Sequence, residues 1–170
     1  MNKLIEGWYA LYTMPRHEKK LHTRLSELNV TSFLPMTRML RTWHDRKKYV
    51  EMPLFPSYIF VYLNNIEHYY NVLNTNGALY YVKTGNELSR ISEQIIHYIR
   101  IVSEQSTGIE LSADYFPPGK ELLISSGPLA GFSCEVVSYK NSEKILVRVS
   151  LLQRSLLCSY TADSLGEKLT

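Results

Sequence analysis

Short apolar runs separated by polar turns dominate the chain. Trp8-Tyr9-Ala10-Leu11-Tyr12-Thr13 is aromatic and bounded by Gly7 and Pro15, which predicts a strand. A helix is expected next. Thr13 falls in its N-cap region, Pro15 fits its first turn, and Leu21, Leu25 and Leu28 recur at helical spacing as one apolar face. Residues 32–40 read as extended, with 48–52 as a hairpin partner and Thr42-Trp43-His44-Asp45-Arg46-Lys47 as the tip. Ser57-Tyr58-Ile59-Phe60-Val61-Tyr62-Leu63 is almost continuously apolar, as a central strand should be. A short helix over 67–73, a strand over 79–83 and an amphipathic helix over 92–102 follow. Ile95, Ile96, Ile99 and Val102 are expected inward on that last helix.

Residues 104–114 are polar, small and poorly periodic, which predicts a linker. Beyond it the pattern changes to short strands at 121–125, 134–139, 144–151 and 155–160, with turn chemistry at Gly127-Pro128 and Lys140-Asn141-Ser142-Glu143. Ile145, Val147, Val149 and Leu151 share one strand face. A small closed barrel is expected, because closure removes exposed edges. The fold class is therefore α+β. A domain of mixed strands and helices covers 1–103 and a β-barrel domain covers 115–170, and the family resemblance given below implies that the first is an α/β sandwich, an antiparallel sheet with flanking helices.

Charge sharpens this picture. Residues 1–50 carry 10 Lys/Arg and 4 Asp/Glu, while the remainder carries 9 and 12. A basic N-terminal third is an electrostatic footprint for a polyanion. There are 13 tyrosines, a residue type that combines rigid contact area with a polar tip. No run of about 20 apolar residues or secretion signal is present. Two cysteines, Cys134 and Cys158, suit a reducing compartment, so a cytoplasmic protein without membrane contact is expected.

Catalytic patterns are missing. His17 and His22 are five apart, roughly 140° around a helix, where a zinc protease needs histidines four apart on one face. The cysteines have no paired spacing with histidine, and there is neither a glycine-rich phosphate loop nor a nucleophile elbow. No metal, cofactor or enzymatic activity is expected. The residues favour a protein that binds surfaces.

Two motifs carry a resemblance. Trp8-Tyr9-Ala10-Leu11-Tyr12-Thr13, followed by Leu54-Phe55-Pro56-Ser57-Tyr58-Ile59-Phe60-Val61, resembles the N-terminal domain of NusG-type transcription elongation factors. Gly119 and then Leu122-Leu123-Ile124-Ser125-Ser126-Gly127-Pro128-Leu129-Ala130-Gly131-Phe132 resembles the opening of their C-terminal KOW domain, a small SH3-like barrel. Pro53-Leu54-Phe55-Pro56 after the basic Trp43-to-Lys48 hairpin, the shortness of that hairpin, and Cys134 at a usual KOW glycine resemble the specialised paralogues of the RfaH and UpxY type. That resemblance implies an antitermination factor bound to elongating RNA polymerase, acting on selected long operons such as surface-polysaccharide clusters. A general NusG-type elongation factor and an RNA- or ribosome-binding KOW protein are the alternatives.

The resemblance also implies site residues and partners. Tyr12, Phe55, Pro56, Tyr58 and Phe60 match the aromatic pocket that receives the clamp helices of the largest polymerase subunit. Strand alternation puts Tyr58, Phe60 and Tyr62 on one side and Ile59 and Val61 on the other. Arg16, Lys20 and Arg24, at i, i+4 and i+8, predict a basic helix stripe about 12 Å long for the non-template DNA strand, extended by Arg46, Lys47 and Lys48 at the hairpin tip. His68, Tyr69, Tyr70 and Asn71 fall where RfaH carries a His-Thr-Thr-Thr segment with specificity and gate-loop roles, and only His68 is shared. Gly119, Gly127, Pro128 and Gly131 form the KOW motif, whose partner in relatives is a ribosomal protein of the small subunit or a termination factor. A monomer is expected. RfaH also has a C-terminal domain that can become a helical hairpin. The β-branched Val136, Val137, Ile145, Val147 and Val149 predict a permanent barrel here, with Leu151-Leu152 and Leu156-Leu157 as the contrary helical signal.

Overall fold

The computed structural model describes residues 4–42, 45–104, 109–112, 121–124, 133–139, 142–149, 154–158 and 165–167. The chain divides into two compact units, residues 1–97 and 98–170.

In the first unit, β1 (Gly7–Thr13) is central. It pairs antiparallel with β5 (Tyr58–Leu63) on one edge, and β5 pairs with β2 (Ser32–Phe33). On its other edge β1 takes both β6 (Ala78–Tyr81) and β9 (Arg90–Ile91). Between them the chain leaves the sheet as the small hairpin β7 (Lys83–Thr84) and β8 (Glu87–Leu88), turning at Gly85 with φ 61°. The strand expected over 79–83 is thus split, and β8 and β9 are additions to the expected set. Gly7 lies where β1 meets β9. At φ 150° a side chain here is strained, and a Cβ would displace the Arg90 side chain that lies against the glycine.

Strand alternation sorts the side chains as expected. Tyr9 and Leu11 of β1 face the same way as Ile59, Val61 and Leu63 of β5. With Leu21 and Leu25 of α1 (Glu18–Glu27), Val72 of α2 (Ile66–Leu73), Val30 and Tyr81, they form one buried cluster. Trp8, Ala10 and Tyr12 occupy the opposite face beside Tyr62, Phe60 and Tyr58. Leu28 departs from the expected apolar face and is 48% exposed. It is the C-cap, Asn29 at φ 56° ends the helix, and Val30 folds back to donate its N–H to the Leu25 carbonyl at 2.9 Å.

The helix begins three residues later than Pro15. Pro15-Arg16 forms a turn in which Arg16 has φ 65°. Pro35 breaks the extended 32–40 segment, so β3 (Met36–Thr42) pairs with β4 (Lys47–Pro53) as a separate two-stranded ribbon. The expected second amphipathic helix is α3 (Glu93–Glu104), in which Ile96, Ile99 and Val102 are buried and Ile95 is half-buried.

Among the described residues, the second unit holds six antiparallel strands in the order β10-β14-β13-β12-β11-β15. They are β10 (Ile109–Ser112), β11 (Glu121–Ile124), β12 (Ser133–Tyr139), β13 (Ser142–Val149), β14 (Arg154–Cys158) and β15 (Leu165–Glu167). Cys134, Val137 and Leu157 are buried. Burial, with the Glu135 charge beside it, pushes the Cys134 thiol up to about 11, so it behaves as a small apolar side chain. The β10 strand falls within the stretch expected as a linker and pairs with β14 from Ile109↔Cys158 to Ser112↔Ser155. Gly119, Gly127, Pro128, Gly131, Leu151 and Leu152 lie outside the described residues.

Candidate binding surface

The register of three strands creates an aromatic row. Tyr12 on β1 stands opposite Tyr58 on β5 and Tyr80 on β6. Tyr12 meets Tyr58 edge-to-face at 5.1 Å between centroids and stacks on Tyr80 at 5.0 Å. Tyr80 is 56% exposed, while Tyr12 and Tyr58 are half-buried. Such a row offers flat apolar area with polar tips, the chemistry of a protein-binding anchor.

The next row inward is closed. Phe60 and Phe55 are 0% and 1% exposed and meet edge-to-face at 5.7 Å, and Phe33 stacks on Phe60 at 6.1 Å. Of the expected pocket, Tyr12, Tyr58 and the exposed Pro56 therefore reach the surface, whereas Phe55 and Phe60 are core residues. Tyr80 was not among the expected residues. Only the register of β6 on β1 brings it beside Tyr12.

A turn holds this row in place. Ser57 adopts φ 64°, a region costly for a residue with a Cβ. Its backbone N–H donates to Oε1 of Glu18 at 2.7 Å, and its carbonyl accepts from the Thr13 N–H at 2.9 Å. The Tyr58 N–H donates to the Phe55 carbonyl at 3.1 Å. Glu18 is 5% exposed, an unusual place for a carboxylate, and Ser57 supplies its buried partner. The first turn of α1 thus fastens the strand that carries Tyr58.

The basic stripe is rearranged. Arg16 precedes α1 in the left-handed turn, so the three-residue helical stripe reduces to Lys20 and Arg24. Arg24 donates from Nη1 to the Asn76 carbonyl at 2.7 Å and to Asn76 Oδ1 at 3.2 Å. It therefore spans α1 and the turn before β6. Lys20 and Arg16 are exposed. Lys19 pairs with Glu51 of β4 at 3.5 Å. Arg46, Lys47 and Lys48 are exposed at the far end of the ribbon.

The 68–71 segment lies on α2, whose N-cap Asn65 accepts the His68 N–H through Oδ1 at 2.9 Å. Tyr69 is structural in part: it stacks on Tyr81 at 4.8 Å, and the Tyr81 hydroxyl donates to its carbonyl at 3.4 Å. Burial raises the Tyr81 phenol far above its usual range, so it stays a donor. Tyr70, edge-on to Tyr69 at 5.1 Å, is exposed. Both tyrosines line a cleft of about 690 Å³ with Ile66 and Leu88, and His68 and Asn71 are not on its wall. Nδ1 of His68 is buried without a hydrogen-bond partner among the described residues. Those residues contain no cluster of three or more metal-ligating side chains and no helix long and apolar enough to cross a membrane.

The central sheet, helices α1 and α2 and the turn before β5 all fall within residues 6–100, which match the family described as transcription termination factor nusG. The chain belongs to the NusG family. That is a family of transcription factors, not of enzymes. The solved Thermotoga maritima NusG in a study of domain interaction is similar in fold: it is 18% identical, with 96% of this chain and 97% of that chain covered at a TM-score of 0.56. The MjSpt4:Spt5 complex in conformation B aligns over 91% of this chain and 99% of that chain at 12% identity, with a TM-score of 0.34. The aromatic row and the Glu18–Ser57 contact both lie in the part that matches the NusG family.

Proposed function

We propose that this NusG-family chain is an antitermination factor that binds elongating RNA polymerase and suppresses pausing or termination on selected long operons. The observation that carries the reading is the Tyr58–Tyr12–Tyr80 row, an aromatic surface carried on three paired strands with Tyr80 exposed at its edge. Its partner is a helical element of polymerase, the clamp helices of the largest subunit, which would lay an apolar stripe across the row. Lys20, with Arg16 and the hairpin-tip cations, faces the non-template DNA strand. Arg24 holds the Asn76 turn in register with α1. Tyr70 on α2 is the exposed member of the segment assigned to specificity or gate-loop contact.

The second unit takes the role of the KOW barrel, with a ribosomal protein as its candidate partner, and the factor acts in the cytoplasm as a monomer. The family's general description as a termination factor favours a second reading, a general elongation or termination factor acting on all transcripts. Transcription in vitro through a terminator separates the two. Read-through restricted to the operon adjoining the protein's own gene supports the specialised reading. Equal effects on an unrelated template support the general one, and unchanged termination on both rejects antitermination.

A further inference from the structure

Asn76 and Gly77 occupy the turn between α2 and β6. The Ala78 N–H donates to the Thr75 carbonyl at 3.0 Å, which closes a four-residue turn with these two at its centre. Gly77 has φ 104°, a positive value that glycine adopts freely at the third position of such a turn. Asparagine before glycine is also a reactive pair. Glycine has no Cβ to screen its backbone nitrogen from the amide carbon of the preceding side chain.

Three features set this pair apart. Asn76 is exposed, so water and hydroxide reach it. The Gly77 N–H makes no hydrogen bond among the described residues, so its nitrogen is not held elsewhere. Nη1 of Arg24 donates to the Asn76 carbonyl oxygen at 2.7 Å and to Asn76 Oδ1 at 3.2 Å. Those two oxygens are where negative charge develops. When hydroxide removes the Gly77 amide proton, the charge of the amide anion spreads onto the Asn76 carbonyl oxygen. When that nitrogen attacks Asn76 Cγ, the charge passes to Oδ1. One guanidinium bonded to both oxygens stabilises each charge in turn, as fixed donors do at an oxyanion.

We propose that Asn76 is a self-modification site, at which Arg24 promotes deamidation through a succinimide. The bond between Gly77 N and Asn76 Cγ forms, the Cγ–Nδ2 bond breaks, and ammonia leaves carrying, through solvent, the proton that Gly77 lost. Water then opens the ring at either carbonyl, giving aspartate or isoaspartate. Aspartate places a carboxylate beside Arg24. Isoaspartate adds a methylene to the backbone just before β6, whose register on β1 sets Thr13 opposite Ala78 and Tyr12 opposite Tyr80. It loosens the strand that carries Tyr80. The chemistry belongs to the free protein and does not depend on polymerase docking.

The full-length protein is incubated at mildly alkaline pH below its melting temperature, and the tryptic peptide 49–83 is followed by mass spectrometry. Fragmentation should place the exchange of NH2 for OH at Asn76, while the exposed Asn74 of the same peptide stays intact over the same time. Arg24→Gln should slow the native reaction about tenfold, the effect of about 1.4 kcal/mol on a barrier and close to that of one hydrogen bond to a charged group. In urea the two proteins should react at equal rates, because the contact is gone. Native wild type should react faster than wild type in urea, a comparison that does not depend on the variant folding. The isoaspartyl fraction, separated by ion exchange, should melt below the unmodified protein. No exchange at Asn76, equal native rates in wild type and Arg24→Gln, or a faster wild-type reaction in urea overturns the proposal. An isoaspartyl fraction that melts like the unmodified protein overturns the effect on β6. Each of these results leaves the docking surface untouched, because polymerase is absent from every arm.

Discussion

Glu18 and Ser57 are joined by a 2.7 Å hydrogen bond from the Ser57 backbone N–H to the Glu18 carboxylate, and Ser57 directly precedes Tyr58. Glu18→Ala leaves that N–H unsatisfied in a half-buried site and is expected to cost about 1–3 kcal/mol. Glu18→Gln keeps an acceptor and should cost clearly less. Denaturant unfolding of the pair checks this, and equal losses would contradict the hydrogen-bond account.

The left-handed Ser57 makes a second expectation. Ser57→Gly removes the Cβ at φ 64° and keeps both backbone hydrogen bonds. Stability should hold or rise by up to about 1 kcal/mol, since glycine adopts this region freely. Ser57→Val should lower it, as a branched side chain is least tolerated there. Thermal melts of both variants read the sign.

The two aromatic rows should behave differently on truncation. Phe60→Ala removes a fully buried ring between Phe33 and Phe55 and is expected to cost about 3–5 kcal/mol. Tyr80→Ala, at an exposed edge, should change stability by no more than about 0.5 kcal/mol. Chemical denaturation of both decides whether the inner row is core and the outer row is surface.

His22 gives a pH dependence. Its Nδ1 lies 2.8 Å from Ser32 Oγ, between α1 and β2, and burial lowers its pKa from the ordinary value of about 6.5. The unfolded chain therefore binds the proton more readily than the folded one. Stability should fall as pH drops below about 6.5 and level off once the folded imidazole is also protonated. His22→Gln should flatten this segment of the melting-temperature profile, and an unchanged slope would assign it to other groups.

The parts of the fold legible in the sequence are those set by local pattern. Strand β1 and strand β5 announce themselves by aromatic and continuous apolar runs, and Leu21 and Leu25 by helical spacing. The place of Arg16 is not legible, because Pro15 is as compatible with a turn as with a first helical turn, and the hydrogen bond from Met14 N–H to the Gly77 carbonyl, 2.9 Å long, is non-local. The roles of Tyr80 and Glu18 are hidden for the same reason. Tyr80 joins Tyr12 only through the register between β6 and β1, and a glutamate on a basic helix reads as solvent-facing until Ser57 supplies its partner. Strands β7, β8 and β9 are two residues each, too short to show a period. Ile109–Ser112 is likewise too short and polar to show as a strand until β14 pairs with it.

The most direct test of the docking surface is the affinity of purified RNA polymerase for folded Tyr80→Ala and Tyr58→Ala variants, each first checked for a wild-type melting temperature. Tyr80 is the informative position, because its ring is exposed and its removal leaves the core intact. The expected result is at least a tenfold loss of affinity for each, about 1.4 kcal/mol or more, the scale of an interface anchor. Wild-type affinity in both folded variants would contradict the assignment of the Tyr58–Tyr12–Tyr80 row to polymerase.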